Sequence, residues 1–167
     1  MSDSDDKELW GITPDNCHPK VAELLTDDFY WSQADDNSPL GNDTGADTFL
    51  DFREWREEHP TENSIKFLDK LLADWQVEND FWDITDDTEV QRLWEKDEFS
   101  LTQRDEVIIG LAFGQFILES KVDAEPKRRA LLAIERQSLP SMLQRWENFA
   151  DERIERLGKM KTVLEKL

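Results

Sequence analysis

The chain has 167 residues, 38% of them apolar, and it carries 39 acidic against 20 basic side chains, for a formal net charge of −19. This length and apolar content are typical of one domain with its own core. Because a strongly negative field repels nucleic-acid phosphates and anionic lipid, the composition argues against direct nucleic-acid binding and against membrane association.

The negative charge is concentrated in the first part of the chain. Residues 1–100 contain 28 acidic and 8 basic side chains, a net of −20, whereas residues 101–167 contain 11 and 12, a net of +1. Such a field accelerates encounter with a basic protein, but acidity also keeps proteins soluble without any partner. Composition alone leaves both interpretations open.

The first residues, MSDSDDKEL, are acidic where a secretory signal would be basic and then apolar, and no apolar run approaches the roughly 20 residues that span a bilayer. Cys17 has no second cysteine for an internal disulfide, and with His18 and His59 as the two histidines there is no Cys/His set with zinc spacing. We therefore expect a cytoplasmic protein without a cofactor. A flexible acidic tail is expected over residues 1–10 and a single α-helical domain over residues 11–167.

The apolar spacing predicts an all-α fold, because alternating apolar and polar runs bounded by turns are missing. Pro19 suits the first turn of a helix, and the His59-Pro60 step ends another, since the residue before proline disfavours helical geometry. Phe81 and Trp82 are expected to fix an aspartate-rich linker to the body by burial. The first four predicted helices cover residues 18–30, 44–58, 62–77 and 86–97.

The most apolar element comes next, a predicted helix over about residues 103–121. Its segment 107–118, VIIGLAFGQFIL, is apolar nearly all round, which indicates a central helix surrounded by others. Gly110 and Gly114 share one side of this helix and would let a neighbouring backbone approach closely. Gln115 is expected to be a core polar group with hydrogen-bond partners. The sequence thus predicts a single-domain bundle of about six to seven helices around this one.

The C-terminal part predicts one helix over residues 124–137 and a long one over residues 139–167, with Ser138 as its cap. A helix of that length would span about 40 Å at about 1.5 Å per residue. It would either wrap the whole domain or extend beyond it and pair with a second copy as a homodimer.

The stretch PLGNDTGADTF, residues 39–49, is similar in composition to a calcium-binding loop but does not match the ligand spacing of one. With Asp36 at position 1 the frame places Gly41 at position 6, but Leu40 stands at position 5 and Asp47 takes the place of the bidentate glutamate. The stretch is better explained as a helix start, with Thr44 and Asp47 as a capping pair and Asp43 favoured by the helix dipole.

Four carboxylates form a narrow stripe on the second predicted helix. At about 100° per residue, Asp47, Asp51, Glu54 and Glu58 fall within a sector about 60° wide, and the apolar positions occupy much of the rest. This stripe is either a solvated face, a docking surface for Lys and Arg of a partner, or a divalent-ion site completed by a facing element. We assign partner binding to these four residues and to Trp31.

Residues 18–56 resemble a known family. The runs that carry the resemblance are HPKVAELLTDDFYW (residues 18–31), PLGNDTGAD (residues 39–47) and FREWR (residues 52–56). Together they resemble the uncharacterised bacterial YfeS-like family. The resemblance implies a bacterial cytosolic protein and supplies no activity.

Two functions remain open. The first is a non-catalytic, inhibitor- or immunity-like protein that binds a basic protein partner; the charge distribution, the stripe and seven tryptophans favour it. The alternative is a carboxylate-based divalent-metal-binding protein or hydrolase, with ligands from Asp36, Asp43, Asp47 and Asp51, or Asp35 in place of Asp36. The alternative is weaker because the sequence has no nucleophile constellation and no phosphate-binding loop.

Overall fold

The computed structural model describes residues 7–167, which fold into helices joined by loops. Within those residues there is no β-strand, only an isolated bridge between Leu9 and Ile12. The predicted all-α fold class is confirmed. The elements in chain order are α1 (Pro19–Leu24), a 3-10 helix (Asp28–Trp31), α2 (Asp43–Glu58), α3 (Ile65–Asp74), α4 (Asp87–Lys96), α5 (Glu98–Glu119), α6 (Ala124–Gln137), α7 (Pro140–Leu143), a second 3-10 helix (Gln144–Phe149) and α8 (Ala150–Glu165).

Helix α5 is the central helix that the sequence predicts. Its residues 107–117 are all buried, and α2 and α6 pack against it most extensively. It begins at Glu98 rather than near residue 103 because the Asp97 carboxylate caps it, accepting from the Ser100 backbone N–H at 3.1 Å and from the Ser100 hydroxyl at 2.7 Å. Although α5 is so apolar, no helix within residues 7–167 has the length and hydropathy needed to cross a bilayer.

The two glycines of α5 allow α2 to approach closely, as predicted. A Cβ atom added at Gly110 would lie 3.0 Å from the Cα of Gly45, and one added at Gly114 would lie 2.9 Å from Cδ1 of Phe49. Both distances are shorter than ordinary carbon–carbon contacts. The close packing fixes α2 along α5 and leaves the opposite side of α2 in solvent.

Gln115 is a satisfied core polar group, as expected. Its Oε1 accepts from the Ser64 hydroxyl at 2.9 Å and from the Asp123 backbone N–H at 3.1 Å, while its Nε2 donates to Glu119 and Asp123 at 2.9 and 3.0 Å. These bonds join the start of α3, the end of α5 and the start of α6. Gln115 therefore has a structural explanation and needs no ligand.

A buried ion pair joins α5 and α6 and holds the linker between α3 and α4. Arg136 donates from Nη2 to the Asp105 carboxylate at 2.8 Å, and both side chains are essentially inaccessible to solvent. Its Nη1 donates to the backbone carbonyls of Trp82 and Ile84 at 3.0 and 2.7 Å. Trp82 is buried, which confirms that this residue fixes the linker to the body.

The N-terminal boundary of the domain lies earlier than predicted. Leu9 is fully buried, and the Trp10 ring packs on Phe49 with centroids 5.6 Å apart. Arg53 also donates from Nη1 to the Trp10 carbonyl at 3.0 Å. The predicted tail over residues 1–10 is therefore wrong for residues 7–10, and its first six residues lie outside the described part of the chain.

Two predicted helices are each divided in the structure. The predicted helix over residues 18–30 is α1 followed by a 3-10 helix. The long C-terminal helix is broken at Glu147, where φ is 49° and ψ is −119°, and α8 keeps 16 residues. Ser138 does not cap it; its hydroxyl donates to the Ile134 carbonyl at 2.8 Å. Because α8 packs back against α6, the geometric basis for a homodimer through a helix of about 40 Å is lost.

Candidate functional site

Helix α2 begins at an asparagine cap and not at the predicted threonine cap. The Asn42 side chain accepts from the Gly45 backbone N–H at 2.7 Å, and Asp43 occupies the first turn, where the helix dipole favours an acid. Thr44 already lies inside the helix, so the predicted pairing of Thr44 with Asp47 is wrong. The interpretation of the glycine-rich stretch as a helix start is confirmed.

The outward side of α2 carries the predicted stripe of carboxylates. All of the stripe residues are exposed, whereas Phe49, Phe52 and Trp55 on the opposite side are buried. Asp43, one turn before the stripe, is exposed as well. We call the stripe together with Asp43 the acidic face; it consists of Asp43, Asp47, Asp51, Glu54 and Glu58.

The carboxylates of the acidic face lack cationic partners. The neighbouring cations are used elsewhere: Arg56 pairs with Glu119 at 2.7 Å and Lys70 pairs with Asp74 at 2.7 Å. Within residues 7–167, no member of the acidic face takes part in an ion pair shorter than 4.0 Å. The face therefore presents uncompensated negative charge.

The electrostatic consequence is visible at Asp51. Partial burial raises the pKa of this carboxyl above its ordinary value, and the charges of Asp47 and Glu54 raise it further, while Lys70 opposes the rise. A rise in pKa means that the ionised form is disfavoured where it stands. A cation placed beside Asp51 would therefore be favoured by the surrounding charges.

An open groove with apolar side chains adjoins the acidic face. It lies between α2, the C-terminal end of α3 and the first turns of α5, and it has a volume of about 550 Å³. Phe99 is 69% exposed and Leu50 is 38% exposed, so both present apolar surface to solvent beside the acidic face. We call this depression the α2–α5 groove; its lining includes Asp43, Asp47, Leu50, Asp51, Trp75 and Phe99.

The structure does not assemble the metal site of the alternative hypothesis. Asp43, Asp47 and Asp51 follow one another along α2, but Asp36 lines a different depression, and the Asp35 carboxylate accepts from the Asn37 backbone N–H at 2.9 Å. Across the described part of the chain, no group of three or more His, Cys, Asp or Glu side chains is placed to hold a metal ion.

Trp31 is not available to a partner. Its side chain is 1% exposed, and the indole N–H donates to the Leu25 backbone carbonyl at 3.0 Å. Its assignment to partner binding is therefore wrong, and it belongs to the core. Sequence reasoning instead missed Phe99, because this residue lies between the predicted helices over residues 86–97 and 103–121, whereas the structure places it in the first turn of α5.

The resemblance seen in residues 18–56 extends over most of the chain. The chain is 26% identical over 151 residues to the uncharacterized protein YfeS of Escherichia coli (strain K12), an alignment that covers 90% of this chain and 62% of YfeS. The chain is YfeS-like. It spans less than two thirds of the length of that relative, whose name supplies no activity. No family model matches the chain, and no solved structure matches it.

Proposed function

We propose that this YfeS-like chain is a non-catalytic, inhibitor- or immunity-like protein that binds a basic protein partner in the cytoplasm. The observation that carries the proposal is the position of the unpaired acidic face directly beside exposed Phe99 and Leu50. A cytoplasmic location suits the unpaired thiol of Cys17, because thiols are kept reduced in that compartment.

The acidic face supplies the electrostatic part of the binding. Its five carboxylates are exposed and have no ion-pair partner among residues 7–167, so Lys and Arg side chains of a partner reach them without first breaking ion pairs of that part of the chain. Complementary charge at the edge of an interface raises the association rate and selects the partner more than it adds affinity. The charge of −20 on residues 1–100 acts in the same direction over a longer range.

The α2–α5 groove supplies the apolar part. Charged contacts at the rim contribute little free energy by themselves, whereas an aromatic or aliphatic anchor in a pocket dominates many interfaces. Phe99 and Leu50 offer apolar surface that is exposed in the isolated chain, and Trp75 lies half-buried in the same groove. The expected partner segment therefore carries basic side chains next to an apolar one.

The test uses two variants with the same change in net charge. The face variant carries Asp47→Asn, Asp51→Asn, Glu54→Gln and Glu58→Gln. The dispersed variant carries Asp15→Asn, Glu23→Gln, Glu135→Gln and Glu165→Gln. These four exposed carboxylates lie in the loop before α1, in α1, in α6 and in α8, respectively.

Proteins captured from the native host are purified, and their binding to the parent and to both variants is followed at increasing salt. We expect association with the parent to slow markedly as the ionic strength rises towards ~0.15 M, where the screening length is about 8 Å. The face variant should associate more slowly than the dispersed variant at low salt. If both variants bind every captured protein as fast as the parent does, the acidic face is only a solvated surface and the proposal fails.

A further inference from the structure

A second depression lies on the other side of the α2 N-terminus. It has a volume of about 550 Å³ and is bounded by the loop before α2, by α5 and by the segment that leads into α8. Asp43 and Thr44 line both this depression and the α2–α5 groove, so they separate the two. We call it the Arg153 pocket; its lining includes Asp36, Asn42, Asp43, Glu106, Trp146 and Arg153.

Arg153 is the unusual residue of this pocket. Its side chain comes from α8 and is 7% exposed, and its guanidinium lies 4.5 Å from the centre of the Trp146 ring. Within residues 7–167, its buried Nε has no hydrogen-bond partner. Arginine almost never enters a protein interior without pairing, because an unpaired buried charge is costly.

The cost of this burial appears in the acid–base properties of the pocket. Burial lowers the pKa of Arg153 to about 10, although the charges of Glu106, Asp105, Asp35 and Asp36 act in the opposite direction. Burial also raises the pKa of Glu106, against the effects of the nearby Thr44 hydroxyl and the Arg153 charge. The pocket therefore holds a cation and an acid that are both poorly solvated and lack full mutual compensation.

We propose that the Arg153 pocket binds a small zwitterion of the α-amino-acid class, whose carboxylate pairs with Arg153 and whose ammonium group faces Glu106, Asp36 and Asp43. A planar guanidinium is well suited to two parallel hydrogen bonds to a carboxylate. The pocket is open to solvent, so the side chain of such a ligand can extend outward. The pocket shares Asp43 with the acidic face, but the proposed ligand is held by Arg153 and Glu106, which take no part in the docking of a basic protein.

The charges of the lining exclude the simpler ligands. A phosphate or another dianion would meet one arginine but three carboxylates, and like charges at close range repel. A simple cation would meet the buried guanidinium. A zwitterion satisfies both ends of the pocket, and it leaves the net charge of the site unchanged.

The test measures binding of the common L-amino acids to the full chain by ligand-observed NMR and calorimetry. Acetate, methylammonium and inorganic phosphate serve as fragment probes. We expect saturable binding of at least one amino acid with a Kd below about 10 mM, and binding of each fragment at least about tenfold weaker. Arg153→Gln should weaken amino-acid binding by about tenfold or more, because it removes the paired charge.

Two further variants guard against misfolding. Arg153→Lys keeps the charge but loses the planar donor pair, so it should retain the fold and bind more weakly than the parent. Arg156→Gln removes an arginine one turn away on α8 that does not line the pocket, and it should bind as the parent does. Absence of amino-acid binding up to about 10 mM, equal binding of acetate or phosphate, or unchanged binding to Arg153→Gln would each overturn the proposal.

Discussion

At the scale of single residues, two buried arginines illustrate different solutions to the same problem. Arg136 is fully buried, and its charge is paired with the Asp105 carboxylate. Its Nη1 also donates to the backbone carbonyls of Trp82 and Ile84. Arg153 is nearly as buried, but within residues 7–167 its Nε has no hydrogen-bond partner. A buried charge with complete pairing is explained by the fold, whereas an incompletely paired one beside an open pocket points to a ligand.

The first prediction concerns the Arg136–Asp105 pair. Asp105→Asn keeps the size of the side chain but removes its charge, which leaves Arg136 buried and uncompensated. We expect the free energy of unfolding to fall by about 3–5 kcal/mol in urea melts. The control is Glu125→Gln, which breaks an exposed pair with Arg128 and a partly exposed pair with Arg129 and should cost less than about 1 kcal/mol. Equal losses in the two variants would contradict a special role for the buried pair.

The second prediction concerns the pH dependence that Glu106 introduces. Because burial raises its folded pKa above the unfolded value of 4.5, the folded state binds the proton more tightly than the unfolded state does. The stability that this group contributes is fully present below pH 4.5 and is lost as the pH rises through the folded pKa. Glu106→Gln removes that loss, so its stability relative to the parent should increase as the pH rises above 4.5. Denaturant melts at pH 4 to 7, in steps of about one pH unit, measure the free energy of unfolding of both proteins. A difference between variant and parent that does not change with pH would contradict the prediction.

At the scale of helices, the sequence predicts the elements with strong apolar periodicity and misplaces those that depend on local geometry. The range of α6 was predicted without error, and the central position of α5 follows from its continuous apolar run. The break at Glu147 was not predictable, because apolar spacing continues across it while a positive φ at a glutamate leaves no pattern. Apolar spacing also misplaces the start of α5. The Asp97 cap lets the helix begin at Glu98, before its apolar segment starts.

The candidate site was predictable only in part. The carboxylates of the acidic face follow from helical spacing, because exposure of one side of α2 is implied by the apolar residues on the other. The Arg153 pocket is different. It joins residues from the loop before α2, from α5 and from α8, and its members Asn42, Glu106 and Arg153 lie 64 and 47 positions apart in the sequence. Such a site depends on the packing of three elements, and no local pattern indicates it.

The third prediction tests the packing of α2 on α5. Gly114→Leu places a side chain where the Phe49 ring already lies 2.9 Å from the position of the added Cβ, so we expect a loss of about 1–3 kcal/mol in stability. Gly158→Leu is the matched control, because that glycine lies within α8 and has no atom within 4 Å of an added Cβ. The control should be neutral or stabilise by up to about 1 kcal/mol, since leucine favours helices. An unchanged urea midpoint for Gly114→Leu would contradict the close helix contact.

At the scale of the whole molecule, the concentration of negative charge on the acidic face lowers the stability of the fold. Along the acidic face, neighbouring carboxylates are three or four positions apart, and each such like-charge pair disfavours a helix by about 0.2–0.5 kcal/mol. The basic side chains that could relieve this repulsion are engaged in other ion pairs. A solubilising charge needs no such concentration, whereas a docking surface does, and proteins commonly retain destabilising arrangements where function requires them.

The fourth prediction tests, by stability alone and without a partner, whether the acidic face carries this local repulsion. At an ionic strength of about 0.01 M, where the screening length is about 30 Å, the face variant should be more stable than the parent by roughly 1 kcal/mol, because it relieves about four like-charge pairs. The dispersed variant changes the net charge equally but relieves no such pairs, so its gain should be smaller. Near 1 M salt, where screening extends over about 3 Å, the three proteins should converge. Thermal and urea melts at both salt concentrations measure the stability of the three proteins. Equal increases in stability for the two variants would show that only net charge matters and that the acidic face carries no special local repulsion.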